Sequence, residues 1–83
     1  MYQLYEEFYE KWECPTNSEL VYSKDYDLLV YAAKMLGQTF LNENSDTHTI
    51  THERNDGDYF VINIGTKNNY EGVTYEVFKI DVR

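Results

Sequence analysis

The chain has 83 residues, enough for one domain but too few for two, because domains commonly contain about 100 to 150 residues. Its 7 Lys and Arg against 15 Asp and Glu give a formal net charge of −8. That charge disfavours direct binding to DNA or RNA, since phosphate recognition needs clustered cations. A core of this size leaves little room for a walled pocket, so we expect neither an enzyme nor a cofactor site.

Cysteine usage and hydropathy indicate the compartment. The single Cys14 cannot form an internal disulfide, whereas small exported domains usually need several. The chain also lacks the run of about 18 apolar residues that a membrane span requires. We therefore expect a cytoplasmic protein without a membrane anchor. Hydrophobic residues make up 42% of the chain and aromatic residues 17%, so it should fold rather than remain a disordered acidic tail.

The first predicted element covers residues 2–12. Its apolar side chains recur at helical spacing, with glutamates on the opposite face, which predicts a helix. These apolar residues are Leu4, Tyr5, Phe8, Tyr9 and Trp12. A strand is the alternative, because tyrosine favours extended structure, although a strand would place Glu6 and Glu10 on the same face as Leu4. Pro15 and the polar residues after it predict a turn over residues 15–18.

A short predicted strand over residues 19–23 leads into the main helix. Asp25 is a good N-cap, and the apolar residues that follow it recur at helical spacing. Gly37 predicts the end of the helix, since glycine readily adopts the left-handed conformation of C-terminal caps. Residues 38–46 either extend the helix by a turn or form a loop. Because few polar residues interrupt its surface, we expect the helix to be largely covered by a sheet.

The second half of the chain predicts three antiparallel strands. They cover residues 47–54, 59–64 and 73–82. Residues 55–58, with the sequence Asn-Asp-Gly-Asp, supply the turn of a hairpin, and residues 65–72 form a polar loop. The apolar phase changes between Val77 and Phe78, which predicts a bulge. The expected fold is therefore α+β: one domain over residues 1–83, with a small antiparallel sheet of three to four strands packed against one main helix.

Metal binding and thiol chemistry have weak support. His48 and His52 have carboxylates nearby, but residues four apart on a strand are separated by about 13 Å, too far to hold one ion together. We therefore expect no metal site. Cys14 has only Lys11 as a nearby cation, so we expect an inert thiol. The Asp-Gly-Asp sequence at residues 56–58 lacks the spacing of a calcium loop and is better explained as a turn.

The remaining indication of function is the distribution of carboxylates along the sequence, where they outnumber the neighbouring cations. If several share one surface, they would attract a basic partner and compete for a site that normally receives phosphates. Tyrosines between them would add the aromatic contact area that interface cores favour. The expected partner-binding residues are Glu6, Glu7, Glu10, Glu13, Asp25, Asp27, Glu53, Asp56, Asp58, Tyr5 and Tyr9. Taken singly, each of these charges is also explained by solubility or by helix capping.

Three segments carry the acidic, Tyr-rich and Asn-rich character of the chain, namely YQLYEEFYEKWE, SKDYDLLVYAAKMLG and HERNDGDYFVINIG. In size and composition, though in no alignable motif, the chain resembles the small phage-encoded inhibitors of bacterial defence, including anti-CRISPR proteins and DNA-mimicking inhibitors. The resemblance implies a non-catalytic protein that occupies the nucleic-acid site of a basic host protein in a bacterial cytoplasm. It assigns no role to individual residues.

Two alternative functions remain open. The first is a homo-oligomeric structural or regulatory module whose charge is incidental, with a homodimer formed through Leu4, Phe8 and Trp12 or through an open sheet edge. The second is a small-molecule binder that uses the Tyr-rich surface. Loss of binding on reversal of the carboxylates would distinguish electrostatic inhibition from either alternative.

Overall fold

A computed structural model describes residues 1–80, which form one helix and a five-stranded sheet. The elements are β1 (Tyr2–Glu10), β2 (Glu13–Ser23), α1 (Tyr26–Glu43), β3 (His48–Asn55), β4 (Tyr59–Thr66) and β5 (Gly72–Lys79). The strand order is β2-β1-β5-β4-β3, and all neighbouring strands are antiparallel. The chain therefore combines helix and sheet, but the expected sheet of three to four strands with an N-terminal helix is wrong.

Residues 2–10 form a central strand rather than a helix. β1 pairs with β2 on one side and with β5 on the other, so both neighbours satisfy its backbone polar groups. Leu4 points into the core and is 2% exposed. Glu6 and Glu10 do share its face, as the strand alternative requires. This placement costs little desolvation free energy, because Glu6 is only partly buried and Glu10 is exposed.

The turn predicted over residues 15–18 is also wrong, because these residues belong to β2. The chain reverses instead at Lys11 and Trp12. Pro15 is tolerated inside this strand for two reasons. β2 is an edge strand, and Pro15 falls where the register with β1 shifts, between the pairs made by Phe8 and Glu10.

α1 begins as predicted and ends later than predicted. The Asp25 carboxylate caps it by accepting a hydrogen bond from the Leu28 backbone N–H at 3.1 Å. Gly37 does not end the helix, which continues to Glu43, so residues 38–43 extend it. Gly37 is buried instead, since α1 approaches the sheet so closely there that a Cβ would lie 3.0 Å from Ile64 Cδ1.

The β3–β4 hairpin is confirmed, with Gly57 in the left-handed region at φ 91°. The bulge predicted in the last strand is wrong. β5 pairs without a register shift with both β1 and β4. Val77 points into the core and Phe78 points to the opposite face, so the apolar phase changes because both faces of β5 carry apolar residues. Residues 81–82 of that predicted strand lie outside the described residues.

The core lies between α1 and one face of the sheet. Its buried residues are Leu4, Leu29, Val30, Ala33, Phe60, Ile62, Ile64, Val73, Tyr75 and Val77. Each strand alternates, so its other residues point away from α1. Within residues 1–80 no helix combines the length and the apolar character needed to cross a membrane.

Candidate binding surface

The face of the sheet that points away from α1 is the candidate site, and we call it the open face. No helix or strand within residues 1–80 covers it. The strand registers and the alternation of side chains assign its members. They are Gln3, Tyr5, Glu7 and Tyr9 on β1, Thr74, Glu76 and Phe78 on β5, Tyr59, Val61 and Asn63 on β4, Asn17, Glu19 and Tyr22 on β2, and His52 and Arg54 on β3.

Tyr5 occupies the centre of the open face among three carboxylates. It pairs with Glu19 across β2 and with Glu76 across β5, each about one strand spacing of 4.8 Å away. The pKa of Tyr5 is raised by partial burial first, and then by the negative charges of Glu7, Glu76 and Glu19. All three carboxylates therefore act on the same phenol, which places their charges on one surface.

Neighbouring phenols hold two of these carboxylates in place. The Tyr59 hydroxyl donates to Glu76 Oε2 at 2.7 Å, and the Tyr22 hydroxyl donates to Glu19 Oε2 at 3.0 Å. Burial, followed by this bond to Glu76, raises the pKa of Tyr59 to about 12. The second oxygen of each carboxylate has no assigned donor among the described residues, so it is available to accept a hydrogen bond from a partner.

Aromatic rings lie beside the carboxylates. Phe78 meets Tyr5 edge to face, with ring centroids 6.1 Å apart. Arg54 lies in the same row of the sheet, beyond Val61, and its guanidinium binds Asp56 with Nε donating to Oδ2 at 2.8 Å. This partner holds the pKa of Asp56 below its ordinary value. Because Arg54 is engaged at the hairpin, the centre of the open face keeps its negative charge.

A polar network fills the other end of the open face. Tyr9 Oη donates to Asn69 Oδ1 and accepts a hydrogen bond from Asn63 Nδ2 at 3.0 Å. The Tyr9 ring reaches this network by lying across the paired Gly65 and Gly72, where a Cβ on either glycine would come within 3 Å of Tyr9 Oη. Tyr9 is thus a predicted site residue whose hydroxyl is already used inside the protein.

Of the predicted site residues, the structure brings Tyr5, Glu7 and Tyr9 together on the open face. The remaining predicted residues are Glu6, Glu10, Glu13, Asp25, Asp27, Glu53, Asp56 and Asp58, and all of them lie elsewhere. Glu6, Glu10 and Glu53 are on the α1 side of the sheet. Glu13 pairs with Glu10 beside the β1–β2 turn.

The four predicted aspartates lie near the start of α1. Asp25 is its N-cap, and the charges of Asp58, Asp56 and Asp27 raise the pKa of Tyr26, although burial is the largest cause of that shift. The predicted carboxylates therefore do not form one patch. The residues missed by the sequence analysis are Glu19, Tyr22, Tyr59, Glu76 and Phe78. The alternation of residues 73–78 was a signal for the last two, since it places Glu76 and Phe78 opposite the buried residues.

A groove of about 400 Å³ lies between the β1–β2 turn and the β4–β5 loop. Lys11 and Lys67 line it together with Tyr70, and Lys11 Nζ sits 4.1 Å from the centre of the Tyr70 ring. Trp12, in the same turn, is 86% exposed. Glu71 also lines this groove, and Glu10 and Glu13 flank the β1–β2 turn, so the two lysines are not a cluster of unopposed positive charge. Cys14 is exposed beside this turn and unpaired, so its thiol is not buried.

Within residues 1–80 no group of three or more His, Cys, Asp or Glu side chains is placed to hold a metal ion. Comparisons of the chain with protein-family models, with curated proteins and with solved structures gave no significant match.

Proposed function

We propose that this protein is a non-catalytic binding protein whose open face binds a basic surface of a nucleic-acid-handling partner. The observation that supports the proposal is the convergence of Glu7, Glu19 and Glu76 around Tyr5 on an uncovered sheet face. Carboxylates beside aromatic rings suit arginine, whose guanidinium stacks on a ring while its N–H groups donate to carboxylate oxygens.

The shape and charge of the open face favour a protein partner over a small molecule. Small ligands bind in concave pockets, whereas the open face is the broad surface of an antiparallel sheet. Glu19 and Glu76 lie two strand spacings apart, or about 10 Å, so they can engage two separate cationic side chains. The net charge of −8 would accelerate the approach of such a partner at low salt.

Inhibition is the expected consequence of this binding. Cationic surfaces of nucleic-acid enzymes receive phosphates, and a protein seated on one excludes the nucleic acid. The proposed activity is therefore the one that the resemblance in size and composition implies, that of the phage-encoded inhibitors that block a host nucleic-acid protein. The same charge disfavours nucleic acid as the direct ligand.

The test compares two triple variants with the same charge. Glu7→Gln, Glu19→Gln and Glu76→Gln neutralise the open face, whereas the control variant neutralises three other exposed glutamates. The control changes are Glu10→Gln, Glu13→Gln and Glu43→Gln. Each variant changes the net charge from −8 to −5, by removing three negative charges. The glutamine amides still accept the bonds from Tyr22 and Tyr59.

Wild type, open-face variant and control are used as baits in a bacterial lysate at low and high salt. We expect wild type and control to retain a basic nucleic-acid protein at low salt and release it at high salt, and the open-face variant to retain none. The purified partner should then lose bound oligonucleotide when wild type is added. Equal binding by both triple variants, or undisturbed oligonucleotide binding, would refute the proposal.

A further inference from the structure

α1 has a second apolar surface on the side away from the sheet. Leu28, Tyr31 and Met35 are 56%, 64% and 51% exposed. Their spacing of three and four residues puts them on one stripe of the helix, which we call the outer ridge. The core-facing stripe of α1 is a different set, made by Leu29, Val30, Ala33 and Gly37. α1 is therefore apolar on two sides, and residues 1–80 pack against only one of them.

We propose that the outer ridge is the contact surface of a symmetric homodimer, in which the α1 helices of two copies pack antiparallel about Tyr31. Two copies that each carry a charge of −8 repel one another over most of their surfaces. Over residues 26–42 of α1, however, one negative charge and one positive charge give a sum of zero. The charges of this part of α1 therefore do not oppose the approach of a second copy.

The two charges of this stretch also select the antiparallel arrangement. Asp27 and Lys34 are seven residues apart, so they lie on the same flank of the outer ridge, about two turns from one another. A two-fold axis beside Tyr31 brings this flank of both copies to the same side of the contact. Along the helix axis, Asp27 lies about 6 Å before Tyr31 and Lys34 about 4.5 Å after it. The two-fold axis reverses the direction of the second copy, so its Asp27 lies only about 1.5 Å along the axis from the Lys34 of the first copy.

The symmetric pair would thus form two identical ion pairs between copies. Within residues 1–80 of a single chain, neither Asp27 nor Lys34 forms an ion pair. The Lys34 ammonium rests 5.7 Å from the centre of the Phe60 ring, and its flexible stem can turn to a carboxylate. A parallel helix pair would put the two charged flanks on opposite sides of the contact, where Asp27 could not reach the Lys34 of the other copy.

The first test measures molecular mass by sedimentation equilibrium over a range of protein concentrations. We expect the mass of wild type to rise with concentration toward that of two copies. Met35→Glu should stay at the mass of one copy, because it places a charge within the apolar contact, one turn from Tyr31. Asn42→Glu, on the same helix but about 16 Å along its axis from Tyr31, is the matched control and should dimerise like wild type. A wild type of single-copy mass at every concentration would overturn the proposal.

The second test exchanges the charges. Asp27→Lys and Lys34→Asp should each weaken the homodimer, because each brings like charges together across the contact. A mixture of the two single variants should form a heterodimer, and a chain with both changes should recover the homodimer, since both restore opposite charges. Circular dichroism verifies that each variant is folded. Folded single variants that dimerise like wild type, or a mixture without heterodimer, would contradict the antiparallel arrangement.

The dimer proposal is independent of the proposed binding function. The open face and the outer ridge lie on opposite sides of the molecule, separated by the sheet and the helix. The open-face variant with Glu7, Glu19 and Glu76 changed to Gln should therefore dimerise as wild type does. Dimerisation that fails only in this variant would show that the open face, and not the outer ridge, forms the contact.

Discussion

Gly37 determines how closely α1 packs on the sheet, and its replacement by alanine has two opposing effects. Glycine within a helix costs about 1 kcal/mol relative to alanine, so Gly37→Ala gains that amount from helix propensity. The added Cβ, however, would lie 3.0 Å from Ile64 Cδ1 and 3.5 Å from Ile62 Cδ1. Overpacking of a core costs about 1–3 kcal/mol. We expect the free energy of unfolding of Gly37→Ala to fall by between zero and about 2 kcal/mol.

Ile64→Val provides the decisive partner variant, because it removes the Cδ1 atom that the new methyl group would meet. Alone, this change should lower the free energy of unfolding by about 1 kcal/mol. In the chain with both changes, the methyl group added by Gly37→Ala fills the space that Cδ1 left. We expect the double variant to be about 1 kcal/mol more stable than the sum of the single effects predicts.

Urea unfolding followed by circular dichroism gives the four free energies of this double-mutant cycle. Gly57→Ala is the control, since its Cβ would meet nothing within 4 Å and its φ of 91° makes the effect one of backbone strain alone. Its cycle with Ile64→Val should show no coupling. If the Gly37 and Ile64 effects add to within about 0.3 kcal/mol, the close approach of α1 to Ile64 is wrong.

Two further predictions concern titration and helix capping. The pKa of Tyr59 rises from 10 in the unfolded chain to about 12 in the folded one, so its contribution to stability is complete below about pH 10 and is lost between pH 10 and 12. Tyr59→Phe should reduce the loss of stability between pH 10 and 12, and the other tyrosines with raised pKa values should account for what remains. A stability curve identical to that of wild type would contradict the prediction. Asp25→Ala should lower the free energy of unfolding by about 1 kcal/mol and leave partner binding intact, because Asp25 caps α1 away from the open face. Weakened binding in a folded Asp25→Ala chain would contradict that separation.

Features with local causes could be predicted from the sequence. The start of α1 follows from the carboxylate of Asp25, which satisfies a free backbone N–H of the first turn. The β3–β4 hairpin follows from Gly57, because its left-handed backbone conformation is open to glycine at little cost. In both cases the chemistry that fixes the backbone lies within a few residues of the position it affects.

The N-terminal element could not be predicted in this way, because residues 2–10 fit both periods. Helical spacing separates Leu4 and Phe8 from the glutamates, whereas strand spacing mixes them. The choice depends on β5, whose backbone pairs with β1 and whose Tyr75 lies directly opposite Glu6. Those partners lie about 70 residues away in the sequence. The prediction that Gly37 ends the helix was wrong for a related reason. The lack of a side chain at Gly37 lets α1 pack closely against Ile64, which is distant in the sequence.

The candidate site was predicted in part for the same reason. Tyr5 and Glu7 were selected by charge and aromatic content, which are visible in the sequence. Glu19 and Glu76 join them only because β2 and β5 flank β1, and the strand order is a property of the whole fold. The count of charges therefore predicted an acidic, aromatic surface but could not predict which residues form it.

The fold places the open face and the outer ridge of α1 on opposite sides of the molecule, although one favours a basic partner and the other a second acidic copy. Negative charge that attracts a basic partner also repels a second copy of the same chain. Glu7, Glu19 and Glu76 lie on the sheet face away from α1. The negative charge that would attract the proposed basic partner is therefore separated by the core from the outer ridge. Electrostatic forces fall with distance and with screening over about 10 Å at moderate salt. Self-association through α1 and partner binding through the open face are thus compatible in one molecule, and each dimer would present two open faces outward.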